Sequence, residues 1–135
     1  MIVTGNDAFI AEWVRYRAPY SERGWEKFSA IGIVDNGKLI AGVVYHEYHG
    51  HCISASIASE SPRWCTRRNL RVLFSYPFIQ LGVKRAEVIT GASNLKSQNM
   101  LERMGFTAEG RLRNRFPNED AIVYGMLSNE CKWIR

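Results

Sequence analysis

Asn94-Leu-Lys-Ser-Gln-Asn-Met-Leu-Glu-Arg-Met-Gly-Phe-Thr-Ala-Glu-Gly-Arg-Leu-Arg113 contains a complete helix-to-strand transition. Ser97, Met100, Leu101 and Met104 recur three and four residues apart, which gathers them on one helical face. Gly105 follows the last of them, where a left-handed stop is favoured. The reading is a helix from about Asn94 to Met104 and a strand from Phe106 to Arg113. Because Lys84 to Thr90 upstream also reads as a strand, the helix is a crossover within one sheet.

Working outward, Ala121 to Leu127 forms a last strand across the turn-rich Phe116-Pro-Asn-Glu-Asp120. Upstream, Leu70, Leu73, Phe74, Pro77, Phe78 and Leu81 follow helical spacing, so a helix is predicted over Arg67 to Leu81. Pro77 should kink it and Gly82 should end it. His51 to Ala58 reads as a strand, and Phe28 to Val34 and Leu39 to His46 as a hairpin turning at Asp35-Asn-Gly37. Asn6 or Asp7 caps a first helix carrying Phe9, Ile10, Trp13 and Val14, which Pro19 stops. The order is β-α-β-β-β-α-β-α-β-β. It predicts an α/β (α+β) fold with one mixed sheet and helices on its faces, in a single domain over 1–135.

The 135 residues suffice to bury a core without staples. A net charge of +5 favours an acidic partner without naming it. Cys52, Cys65 and Cys131 are odd in number and lack CxxC spacing, which fits free thiols in a reducing cytoplasm. No basic leader and no membrane-length apolar run is visible, so the expected location is cytoplasmic.

Pro62-Arg-Trp-Cys-Thr-Arg-Arg-Asn-Leu-Arg71 sets four arginines where a strand hands over to a helix. A helix start offers unpaired N–H groups and the positive end of the dipole, so the stretch suits phosphate or is a solvated basic helix end. Cys65 among these arginines is read as a packed thiol rather than a nucleophile. His46-Glu-Tyr-His-Gly-His51 is not the HExxH zinc motif, since Gly50 stands four after His46 and the setting is strand, so no metal is expected.

The opening stretch matches the pattern NxxSxxxLExxGFxxEGxLR and resembles the C-terminal signature of the GNAT acetyltransferase superfamily. It is most similar to the branch that includes the ribosomal-protein N-acetyltransferases. Leu81-Gly-Val-Lys-Arg85, Asp120 and Tyr124-Gly-Met-Leu-Ser-Asn-Glu130 continue the resemblance. It implies a mostly antiparallel sheet whose central strands, Ser54 to Ala58 and the Lys84 strand, splay to admit acetyl-CoA. Backbone groups near Ile57 and Ala58 would hold the pantetheine arm, with Asn94 on its far side. The loop departs from the family's Q/RxxGxG/A pattern, since no glycine lies between Pro62 and Leu81. Thr66, Arg67 and Arg68 take the place of that motif, and Arg63, Arg67 and Arg68 are expected to meet the CoA diphosphate by charge, with Thr66 beside them in the cofactor site.

Acetyl transfer to a primary amine then implies an acid for the departing thiolate. Many members use a tyrosine where this chain has Leu101; here Ser97 is the candidate and Tyr124 the next. The alternative for Ser97 is a hydroxyl bonded back to the Ser93 carbonyl. His51 is the expected base, with His46, Glu47 and Glu60 also within reach of the cleft. Trp13, Tyr20, Trp25 and the segment Arg111 to Asp120 would shape the acceptor, a small-molecule or peptide amine, and a homodimer is compatible with the resemblance. The competing reading is a non-catalytic GNAT-fold binding module. A nucleic-acid partner is disfavoured, because no recognition-helix, RRM or zinc-finger pattern is present.

Overall fold

The computed structural model describes residues 1–135. A two-residue strand, β1 (Ile2–Val3), opens the order as expected and pairs with Gly32 and Ile33. Helix α1 (Asp7–Arg17) stops before Pro19 as expected. Its buried face is Ile10, Ala11 and Val14, and Phe9 is 68% exposed. Phe9 is therefore not a core position: at about 100° per residue it falls roughly 120° from the centre between Ile10 and Val14. Strands β2 (Phe28–Asp35) and β3 (Lys38–His46) turn through Asn36 at φ 52° and Gly37 at φ 74°. Two successive left-handed residues give the turn whose twist suits a hairpin.

After β4 (Cys52–Ser59) comes α2 (Arg67–Ser75), capped by the Thr66 hydroxyl, which accepts from the Asn69 N–H. The regular helix ends six residues before the predicted Leu81. Pro77 has no N–H for the Leu73 carbonyl, and the chain widens into a turn over Tyr76–Gln80 before Gly82 at φ 74°. The Tyr45 hydroxyl, from β3, donates to that carbonyl at 2.7 Å.

Strand β5 (Arg85–Gly91), α3 (Leu95–Met104) and Gly105 at φ 109° follow the expected order. The last hairpin, β6 (Thr107–Phe116) and β7 (Glu119–Leu127), is longer at its tip than predicted, because Asn114 at φ 52° absorbs an irregularity without ending β6.

The sheet order is β1-β2-β3-β4-β5-β7-β6, and every pairing except β4 with β5 is antiparallel. That parallel pairing covers Cys52↔Arg85, Ile53↔Ala86 and Ser54↔Glu87 only. Beyond Ser54 the two strands part, so the expected central splay is present. Side chains alternate along β4. Ile53 and Ile57 join the larger core under α2 and α3, with Trp64, Phe74, Leu101 and Tyr124, while Ala58 joins the smaller core under α1. Gly42 lets α1 sit close: a Cβ there would lie 2.7 Å from Val14. No helix is long and apolar enough to cross a membrane.

Candidate active site

Because β4 and β5 are parallel, the helices that follow them, α2 and α3, both start at the open end of the splay. Two positive helix ends and a row of β4 backbone groups beyond Ser54 without a β5 partner thus face one opening. Ile57 is in that row, whereas Ala58 directs its backbone groups to Gly42 on β3, as Glu60 does to Ile40. On the α2 face the splay is closed by core. Ile53, Ala55, Ile57, Trp64, Val88 and Met104 are among the walls of a cavity of about 30 Å³, room for one water.

Of the four arginines at the start of α2, two are engaged elsewhere. Arg63 pairs with Asp35 at 3.3 Å, and Arg71 donates to the Arg135 carbonyl at 3.1 Å. Arg67 and Arg68 occupy the first turn, exposed and without ion pairs, where backbone N–H groups also lack helical acceptors. Thr66, expected to contact phosphate, spends its oxygen as the helix cap.

At the start of α3 the Asn94 Oδ1 accepts from the Ser97 N–H at 3.1 Å, which leaves the Asn94 Nδ2 without a protein partner. Ser97 is half-buried on the face that carries Met100 and Leu101. Its hydroxyl is not bonded back to the Ser93 carbonyl, which accepts from the Leu95 N–H at 3.0 Å, so the structural alternative for Ser97 is corrected. Tyr124 is 1% exposed and donates to Glu102 at 2.8 Å. Burial, with that carboxylate, pushes its hydroxyl up to about 12, which makes it a weak acid.

His51 is exposed at the closed end of the β4–β5 pair, where its carbonyl accepts from the Lys84 and Arg85 N–H groups. Three residues, roughly 10 Å of strand, separate it from Ser54. Cys65 is exposed, not packed as expected, and desolvation raises its thiol above the ordinary value despite Arg103, so it is no activated nucleophile.

Around the β6–β7 hairpin, the structure joins segments that are far apart in sequence. Tyr20 stacks on Phe116 with centroids 4.3 Å apart and donates to Glu119 at 2.5 Å. Glu119 also accepts from the Ser93 backbone N–H at 2.8 Å and from the Ser93 hydroxyl. These donors hold the Glu119 carboxyl below the usual carboxylate range. Nothing in the local sequence signalled Glu119, because its partners come from two other loops.

No protein-family model matches the chain, and no curated relative matches it. Solved structures do. A spermidine N-acetyltransferase SpeG F149A mutant from Vibrio cholerae superposes with a TM-score of 0.73, at 16% identity over 100% of this chain and 98% of that one. A GNAT-family acetyltransferase from Bacillus anthracis gives 0.62, at 18% identity over 77% and 68%. The fold is that of the GNAT acetyltransferases. A ribosomal-protein-S5-alanine acetyltransferase from Vibrio fischeri gives 0.67, at 21% identity over 78% of this chain and 64% of its own length. The chain likewise spans 64% of a further acetyltransferase of this fold. The GNAT-like splay sits between β4 and β5, and the loop after β4 is the one that departs from the family's glycine pattern.

Proposed function

We propose that this chain is a cytoplasmic, single-domain, acetyl-CoA-dependent N-acetyltransferase acting on a primary amine, either a small amine or a peptide or protein amine. One observation carries the reading: the starts of α2 and α3 converge on the open end of a splayed parallel pair, and Arg67 and Arg68 stand unpaired at the first of them. A diphosphate fits that end by charge, and a narrow polar arm fits the unpaired edge of β4. Acetyl-CoA has both, and its thioester supplies the activated acetyl group. The SpeG and ribosomal-protein neighbours act on amines of both kinds by their names.

In this reading Arg67 and Arg68 take the diphosphate and the ribose 3′-phosphate. The Asn94 Nδ2 donates to the pantetheine arm. The backbone N–H of Ile57 faces the carbonyl oxygen, where a fixed donor stabilises developing negative charge without reorganising. The Ser97 hydroxyl donates to the sulfur as it leaves, while Tyr124 stays bound to Glu102. The glycine-free loop favours one competitor, a GNAT-fold module that binds without turnover, and thiol release from acetyl-CoA in the presence of amines separates the two.

The test of binding is thermal melting with acetyl-CoA. A ligand at about a hundred times its Kd adds roughly 2.7 kcal/mol to the native state, a shift of several degrees. An unchanged melt at millimolar acetyl-CoA overturns the proposal.

A further inference from the structure

We propose that His46, held by Ser56 and Trp25 beside the vertex of the splay, is the base that takes the proton from the acceptor amine; this rests on the acetyltransferase reading above. The vertex is Ser54, the last residue of β4 paired with β5. His46 lies directly across from Ser54 on β3, and its Nε2 shares a hydrogen bond of 3.0 Å with the Ser56 hydroxyl, one side chain further into the splay. Alternation puts His46, Ser54 and Ser56 on the α1 face, opposite Ile53, Ala55 and Ile57, which wall the closed α2 side. His46, Ser54 and Ser56 are half-buried rather than sealed, so an amine reaching the vertex from the α1 face meets His46. Trp25 covers the ring, with centroids 5.8 Å apart, and restricts it from a second direction.

The chemistry is consistent with that place. With hydrogen on Nε2 donated to Ser56, the lone pair of Nδ1, which has no protein partner, is left to accept a proton. Burial lowers the imidazole below its ordinary value, so it is neutral and basic at neutral pH. Across its neighbouring strands His46 faces the uncharged Phe28 and Ser54, and the charge that bears on it is Glu47, whose upward pull is weaker than the effect of burial. The other candidates are worse placed. Glu60 is paired with Arg17 at 2.8 Å and Lys38 at 3.9 Å, and His51 is at the closed end.

One ammonium proton passes to Nδ1, and the nitrogen lone pair then forms the C–N bond to the acetyl carbonyl carbon. The C–S electron pair leaves with sulfur as thiolate, and the surplus proton on the new amide nitrogen passes to that thiolate or to water.

Thiol release from acetyl-CoA is measured across a panel of polyamines, peptide N-termini and water, from pH 5 to pH 9, beside acetyl-CoA melts of each variant. His46→Gln should lower kcat about 100-fold, the lower end of general-base contributions, at unchanged KM for acetyl-CoA. It should also remove the fall in kcat that a histidine base imposes at acid pH, here below the ordinary imidazole range because burial lowers His46. Ser56→Ala should lose part of kcat, and Ser56→Thr should restore it by returning the hydroxyl. His49→Gln, on the exposed hairpin, should leave all parameters unchanged. Full kcat in His46→Gln, or the loss appearing in His51→Gln instead, overturns the base assignment while the melts keep the coenzyme reading intact. An absent acetyl-CoA melt shift, or bound acetyl-CoA with no thiol release to any acceptor, overturns both.

Discussion

Pro77 strips the Leu73 carbonyl of its helical donor, and Tyr45 replaces that donor from the strand beneath. Both groups are buried, so Tyr45→Phe leaves an acceptor that water reaches poorly. It should destabilise the protein by about 1–3 kcal/mol, read as a lower urea midpoint at unchanged slope; a wild-type midpoint would show that water satisfies the carbonyl. The Ser97 hydroxyl has no protein partner, which fits a role toward a ligand. Ser97→Ala should cut kcat by about 10- to 100-fold with the KM for acetyl-CoA nearly unchanged, because a bond to the leaving sulfur strengthens only as charge develops. Full kcat in steady-state assays would make the serine structural. The inward place of Ser97 was legible in the sequence because helical spacing ties it to Met100 and Leu101. The places of His46 and His51 relative to the splay were not, because they depend on where β4 stops pairing with β5.

At the scale of elements, α2 joins a legible start to an illegible end. Thr66 is a good cap and Arg67 and Arg68 a visible cationic turn, whereas the helical spacing that runs on to Leu81 conceals the wide turn forced by Pro77. The start carries the test. Arg67→Ala/Arg68→Ala should weaken CoA by roughly tenfold or more at low ionic strength, with the difference shrinking as salt screens it. Calorimetric titration with CoA and dephospho-CoA would assign each arginine to a phosphate. Unchanged affinity would mean that the N–H groups and dipole of α2 hold the anion alone. Arg63, equally basic in sequence, is excluded from this test because Asp35 on the β2–β3 turn holds it.

Over the whole molecule, Glu119 ties the loop after α1 to the β5–α3 turn and the β6–β7 hairpin. Its carboxyl is held below the ordinary value mainly by the Ser93 hydroxyl, then by Tyr20. A depressed carboxyl stabilises the folded state above its unfolded value, and that contribution is lost as pH falls through the folded one. The melting temperature of Glu119→Gln should therefore lie below wild type at neutral pH, with the gap closing below about pH 4.5. A gap independent of pH would assign the effect to side-chain shape rather than charge.

Element order, the Asn36-Gly37 hairpin, the start of α3 near Asn94 and the Gly105 stop were determined by the sequence itself, because each rests on residues within a turn or two of one another. Phe9 shows the limit even there: its spacing is helical, but which arc of α1 is buried depends on the sheet beneath. The splay, the sealing of its α2 side by Trp64 and its neighbours, the diversion of Arg63, the Tyr20–Glu119–Ser93 tie and the pairing of His46 with Ser56 were decided only in the tertiary structure. In each, strand register or loop packing joins groups separated by about ten to a hundred residues, and no local preference of the chain encodes that distance.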